Sequence, residues 1–134
     1  MKLPALSEKH PLLLLRGLLG IIFVTHGVAR IHYQSLPDFG TFLEAKGFAF
    51  GWPLACAITG GEIFSGSMLA LGVKPRYCLL FHALIIVTGI FLVHLPLGWF
   101  VVGLDGGGVE YSLLIVAVML VLYAKADEMP GLWH

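Results

Sequence analysis

Trp52-Pro-Leu-Ala-Cys-Ala-Ile-Thr-Gly-Gly-Glu-Ile-Phe-Ser-Gly-Ser-Met-Leu-Ala-Leu71 carries a single charge, Glu62, near its middle. As a helix this stretch rises about 30 Å, the thickness of a bilayer's hydrocarbon core. A carboxylate at that depth costs roughly 2.5–3.5 kcal/mol on insertion scales, so it has to face protein or water rather than lipid tails. Glu62 is therefore the first candidate for function, and the rest of the chain is read for what it offers that side chain.

On either side of this span lie apolar stretches of similar length at Pro11–Ala29, Tyr77–Leu95 and Val109–Ala126. The composition agrees, with 134 residues, 58% hydrophobic, only 12% charged and a mean hydropathy of +0.92. An ordinary soluble domain carries about 25% charged residues. The expected fold is all-α, a membrane four-helix bundle forming one domain over residues 1–134, with a short interfacial helix between spans one and two. A net formal charge of zero and the lack of any basic run exclude a nucleic-acid partner and leave membrane lipid as the expected surroundings. Pro11–Ala29 exceeds the 7–15 residue apolar core of a signal peptide and precedes no small-x-small cleavage site, so it reads as a retained helix.

Lys2, Lys9, Lys74, Arg76 and Lys125 fall on one side of the four spans, and Arg30 and Lys46 fall on the other with Asp38, Glu44 and Asp105. The positive-inside rule then predicts a multi-pass protein of the cell (inner) membrane with both termini cytoplasmic. Trp52 and Trp99 mark the outer interface. Between spans one and two, Leu36, Phe39, Phe42 and Leu43 recur at helical spacing, predicting a short surface helix over Leu36–Gly47. The loop Leu97–Gly108 ends in three glycines, which predicts a flexible connection and no nucleotide fingerprint.

Small residues let helices approach in lipid, and Ala57, Gly61 and Ser65 recur every four residues as a candidate seam. On span one, Arg16, Gly20, Phe23, His26, Gly27 and Arg30 share a side at 100° per residue. Antiparallel helices bring together residues of like depth. His26, Arg30, His94 and Glu110 fall at the outer level, Glu62 lies one to two turns deeper, and Arg16 and His82 belong to the cytoplasmic half.

The blocks Leu15–Gly27, Gly60–Ile63, Leu71–Arg76 and Gly108–Tyr111 together resemble the DoxX family of small four-helix membrane proteins. By that resemblance Arg16, His26, Gly27, Glu62 and Glu110 fall on the family's motif positions. The resemblance implies a redox-associated role, because the family includes a thiosulfate-to-quinone oxidoreductase subunit and members acting in oxidative-stress protection beside soluble redox enzymes. The tail Met129–His134 departs from the ending common in relatives.

On this reading the chain is a quinone-interacting subunit of a membrane oxidoreductase system, with quinone as its candidate cofactor and at most a subunit's share in catalysis. Glu62 and His26 are the candidate catalytic groups, relaying protons and donating hydrogen bonds to a quinone carbonyl. Arg30, His94 and Glu110 are candidate ligand contacts, with Phe23, Phe91 and Trp99 as apolar walls. No haem-attachment motif, flavin fingerprint or cysteine cluster is present, so a soluble redox-enzyme partner would bring the electrons. Two other readings stand beside it: a non-catalytic anchor that recruits soluble oxidoreductases, and a small-molecule carrier working as a homodimer.

Each residue also has a structural reading. Arg16 can snorkel to headgroups or serve as a structural polar group, Arg30 can anchor the interface, and Glu110 suits the first turn of a helix. Glu62 with a buried cationic partner can be a packing lock. His82 and His94 stand about 18 Å apart along one helix and cannot share a metal, and no spacing motif predicts a metal site. Cys56 and Cys78 fall at opposite depths, roughly 25 Å apart by helical rise, which excludes a disulfide and leaves both as core packing residues.

Overall fold

A computed structural model describes residues 9–103 and 106–131. Lys2, Asp105 and the last residues of the tail, including His134, lie outside the described residues. Five helices follow one another: α1 (Lys9–His32), α2 (Leu36–Ala45), α3 (Gly51–Leu71), α4 (Pro75–Gly89) and α5 (Glu110–Ala124). α4 runs on through a π turn at Ile90–His94 into a 3-10 turn at Leu95–Leu97, so this helical run covers Pro75–Leu97.

Among the described residues, three helical runs, Lys9–His32, Gly51–Leu71 and Pro75–Leu97, are long and apolar enough to cross a membrane. α5 differs from the expected fourth span. It is a 15-residue apolar helix, about 22 Å long by its rise, because its last turn gives way to the 3-10 turn Ala126–Glu128. Large apolar side chains such as Leu14, Ile21, Phe64, Leu84 and Leu120 point outward and exposed, as lipid-facing side chains do.

The turn between α3 and α4 explains itself locally. Gly72 adopts φ 76°, a left-handed cap that glycine takes without steric cost, and its N–H and that of Val73 bond back to Leu69 O and Met68 O at 3.1 and 2.8 Å. Pro75 then starts α4, where its missing N–H is not needed.

α1 and α3 pack antiparallel at very short range, and glycine is the reason. A Cβ on Gly20 would lie 2.6 Å from Gly66 O, and one on Gly27 would lie 2.6 Å from Ile63 Cγ1 and 2.9 Å from Thr59 O. This seam is rotated from the expected Ala57–Gly61–Ser65 line. Gly61 instead seats the ring of Phe81 from α4, and Ala57 is exposed.

The apolar core fills the end of the bundle where α3 meets α4. Leu19, Leu69, Leu79, Met119, Leu122 and Met129 are buried there. Met129 belongs to the tail, so the chain's own end closes this side of the bundle.

At the opposite end, α2 lies against the start of α3, as the Leu36–Gly47 pattern predicted. Gly40 faces the Trp52 backbone, where a Cβ would come within 3.1 Å, and the Gly51 N–H donates to Glu44 Oε1 at 3.2 Å. The loop after Leu97 is paired backbone rather than the free connection expected. Gly107, Gly108, Val109 and Glu110 donate to Val101, Phe100, Gly98 and Trp99. Left-handed φ at Gly103, Gly106 and Gly107 makes the reversal feasible.

Candidate functional site

Most of the stripe expected on α1 turns inward, with Arg16, Gly20, Phe23 and Gly27 buried, whereas His26 is exposed although it lines the cavity described below. Arg30 continues this side at the outer end. Its Nη1 donates to Glu62 Oε2 in a short contact and to Thr59 Oγ1 at 3.1 Å, and its Nη2 donates to Glu62 Oε1 at 3.3 Å. Glu62 is only 4% exposed, so the membrane-depth carboxylate is paired by a fork-shaped cation rather than left alone. Arg30, expected as an interfacial anchor or a ligand contact, is here the partner of Glu62. The Phe39 ring of α2 lies under the guanidinium at 4.4 Å, which ties the surface helix to the ion pair.

Beside this ion pair opens a cavity of about 500 Å³, bounded by all five helices. Arg30, Glu62, His26 and His94 form its polar side, joined by Thr88 and Ser112. Phe23, Phe39, Phe42, Phe48 and Phe81, with Leu and Ile side chains from α3 and α4, make up the rest of its wall. His94 sits within the π turn, and its Nδ1 lies 2.8 Å from Gly107 O. A carbonyl only accepts, so Nδ1 carries the hydrogen. An apolar chamber with a few polar groups in its wall is the usual form of a small-molecule site.

Not every expected residue reaches this chamber. Glu110 accepts the Val101 N–H at 2.9 Å and closes the loop before α5, so here it serves the local backbone. Trp99 and Phe91 are 56% and 64% exposed and are not cavity walls. Their places are taken by Phe39, Phe42 and Phe48, which come from the surface helix and its following turn. Sequence periodicity marked Phe39 and Phe42 as one face of a helix, but nothing in it said that the face covers a cavity.

Arg16 lies buried at the closed end, where its Nη1 donates to Pro130 O at 2.7 Å. It holds the tail rather than snorkelling outward. Cys78 is buried, whereas Cys56 is exposed and is not the core residue expected. His82 falls in the first half of the Pro75–Leu97 run. It is fully buried, stacked on Phe23 with ring centroids 3.6 Å apart. Among the described residues no group of three or more His, Cys, Asp or Glu side chains is arranged to hold a metal ion.

The family model DoxX matches residues 11–95, which span α1 to the end of the π turn and include His26, Arg30, Glu62 and His94. Glu110 lies beyond the match. This is a membrane protein family often linked to redox processes. No curated protein and no solved structure matches the chain at a significant level.

Proposed function

The chain belongs to the DoxX family, and on that premise we propose that it is a quinone-interacting membrane subunit whose site is the Arg30–Glu62 cavity. The observation that carries this reading is the pairing of a largely apolar chamber of about 500 Å³ with a few hydrogen-bonding groups in its wall, the Arg30–Glu62 pair among them. A benzoquinone is a flat apolar ring whose carbonyl oxygens only accept. Arg30 has N–H groups to spare: three of its five donors are implied by the contacts to Glu62 and Thr59. His26 offers a second donor.

Entry from the bilayer suits a lipid-soluble ligand. Ala57 and Leu84 line the cavity and are exposed, which favours a side opening between α3 and α4. Reduction of a quinone takes up two electrons and two protons. In this reading a soluble oxidoreductase supplies the electrons, and His26, His94 and Glu62 handle protons at the outer end of the site. Lys9, Lys74, Arg76 and Lys125 gather at the opposite end, which by the positive-inside rule is the cytoplasmic one.

The test is binding of a decyl-substituted benzoquinone to the protein in lipid nanodiscs, followed by quenching of tryptophan fluorescence. Saturable binding that Arg30→Gln weakens about tenfold or more supports the reading. Quenching that never saturates in the wild-type protein overturns it.

A further inference from the structure

His82 stands one ring behind the cavity wall with nothing to bond to. Its side chain is fully buried, and neither Nδ1 nor Nε2 has a hydrogen-bond partner. Phe23 covers one face of the imidazole at 3.6 Å and 7°, and Phe81 meets it edge-on at 5.3 Å between centroids. Both phenylalanines are walls of the cavity, as is Ile86, one turn further along α4.

Unpaired buried groups of this kind are rare because each costs about 1–3 kcal/mol, and a phenylalanine or leucine would fill the same space without that cost. A neutral imidazole always keeps one N–H and one lone pair, so His82 has both to offer. The Phe81 ring that screens it rests on Gly61, where a Cβ would lie 2.4 Å from the ring's Cζ.

We propose that His82 is the inner hydrogen-bonding anchor of the cavity, meeting a second polar atom of the ligand when the Phe81 ring turns aside. The ligand class is thereby narrowed to an apolar ring with acceptor or hydroxyl groups at opposite ends, one directed to Arg30 and the other to His82. A para-quinone has this form. The inference rests on the quinone reading of the same cavity.

Binding of a decyl-substituted benzoquinone and of decylbenzene, which lacks oxygens, is measured for the wild type and for His82→Phe in nanodiscs. The expected result is an affinity for the quinone about tenfold lower in His82→Phe, with decylbenzene binding unchanged. Quinone binding that is equal in the two proteins overturns the inference and leaves the quinone reading standing. No quinone binding by the wild type overturns both. Should His82→Phe not fold, NMR of the histidine ring nitrogens in isotope-labelled wild-type protein decides. A His82 nitrogen shift with the quinone and none with decylbenzene supports the anchor, and no shift with either removes it.

Discussion

Arg30 on α1 and Glu62 on α3, 32 residues apart in the chain, form a two-pronged ion pair in which Glu62 keeps only 6% of its side chain exposed and Arg30 20%. The pair joins the two most tightly packed helices and forms the polar wall of the cavity. It therefore links stability of the bundle to whatever binds there.

Removing one partner should be worse than removing both. Arg30→Leu leaves a buried carboxylate uncompensated, at an expected loss of about 3–5 kcal/mol, whereas Arg30→Leu with Glu62→Leu should recover most of it. Unfolding of the single and double variants in mild detergent measures the difference. Equal losses in both would show that the pair is not coupled.

Glu62→Gln keeps the side chain's shape while removing its charge and one of the two acceptors that face Arg30. Membrane insertion should be retained, and quinone-linked turnover in reconstituted membranes should fall. Turnover equal to wild type would take Glu62 out of the chemistry and leave it a structural partner of Arg30.

Gly27→Ala places a methyl group 2.6 Å from Ile63 Cγ1 and 2.9 Å from Thr59 O, so the α1–α3 contact must widen. The expected destabilisation is about 1–3 kcal/mol. Gly17→Ala, with nothing within 4 Å, is the matched control and should be neutral or slightly stabilising through helix propensity. Comparable losses at both positions would argue against the close seam.

Phe39→Ala removes the ring beneath the Arg30 guanidinium and a wall of the cavity. Amide hydrogen exchange across α2 should speed up while the cores of α1 and α3 stay protected. Unchanged exchange in α2 would mean that the Gly40 and Glu44 contacts hold the helix by themselves.

Arg16→Leu breaks the bond to Pro130 O, a charged-donor hydrogen bond worth about 1.5–3 kcal/mol. Met129, 2% exposed, should then leave the core more often. A cysteine in place of Met129 should react faster with a polar maleimide in the Arg16→Leu background. A rate equal to that in the Arg16 parent would show that apolar packing alone retains the tail.

The apolar runs, the glycines on α1 and the lone carboxylate of Trp52–Leu71 were legible because lipid leaves little choice. A backbone in hydrocarbon must bond to itself, and a charge at that depth must find a companion. The short helix at Leu36–Ala45 was legible for a related reason, since its apolar residues recur at helical spacing. The identity of Glu62's companion was less so. Arg30 read first as an anchor at the water interface, and only the approach of α1 to α3 carries its long side chain down to Thr59 and Glu62.

The amino-acid sequence by itself determined an all-α, lipid-facing chain of apolar helices, because hydrophobic length and charge placement are local properties that solvent reads directly. Tertiary structure alone decided which face of each helix meets which. It moved Glu110 and Trp99 away from the site, brought α2 over the cavity and left His82 unpaired behind Phe23. Those outcomes depend on helix rotation and depth to within one residue, which is set by the glycine contacts between α1 and α3 and by the seat of Phe81 on Gly61, not by periodicity.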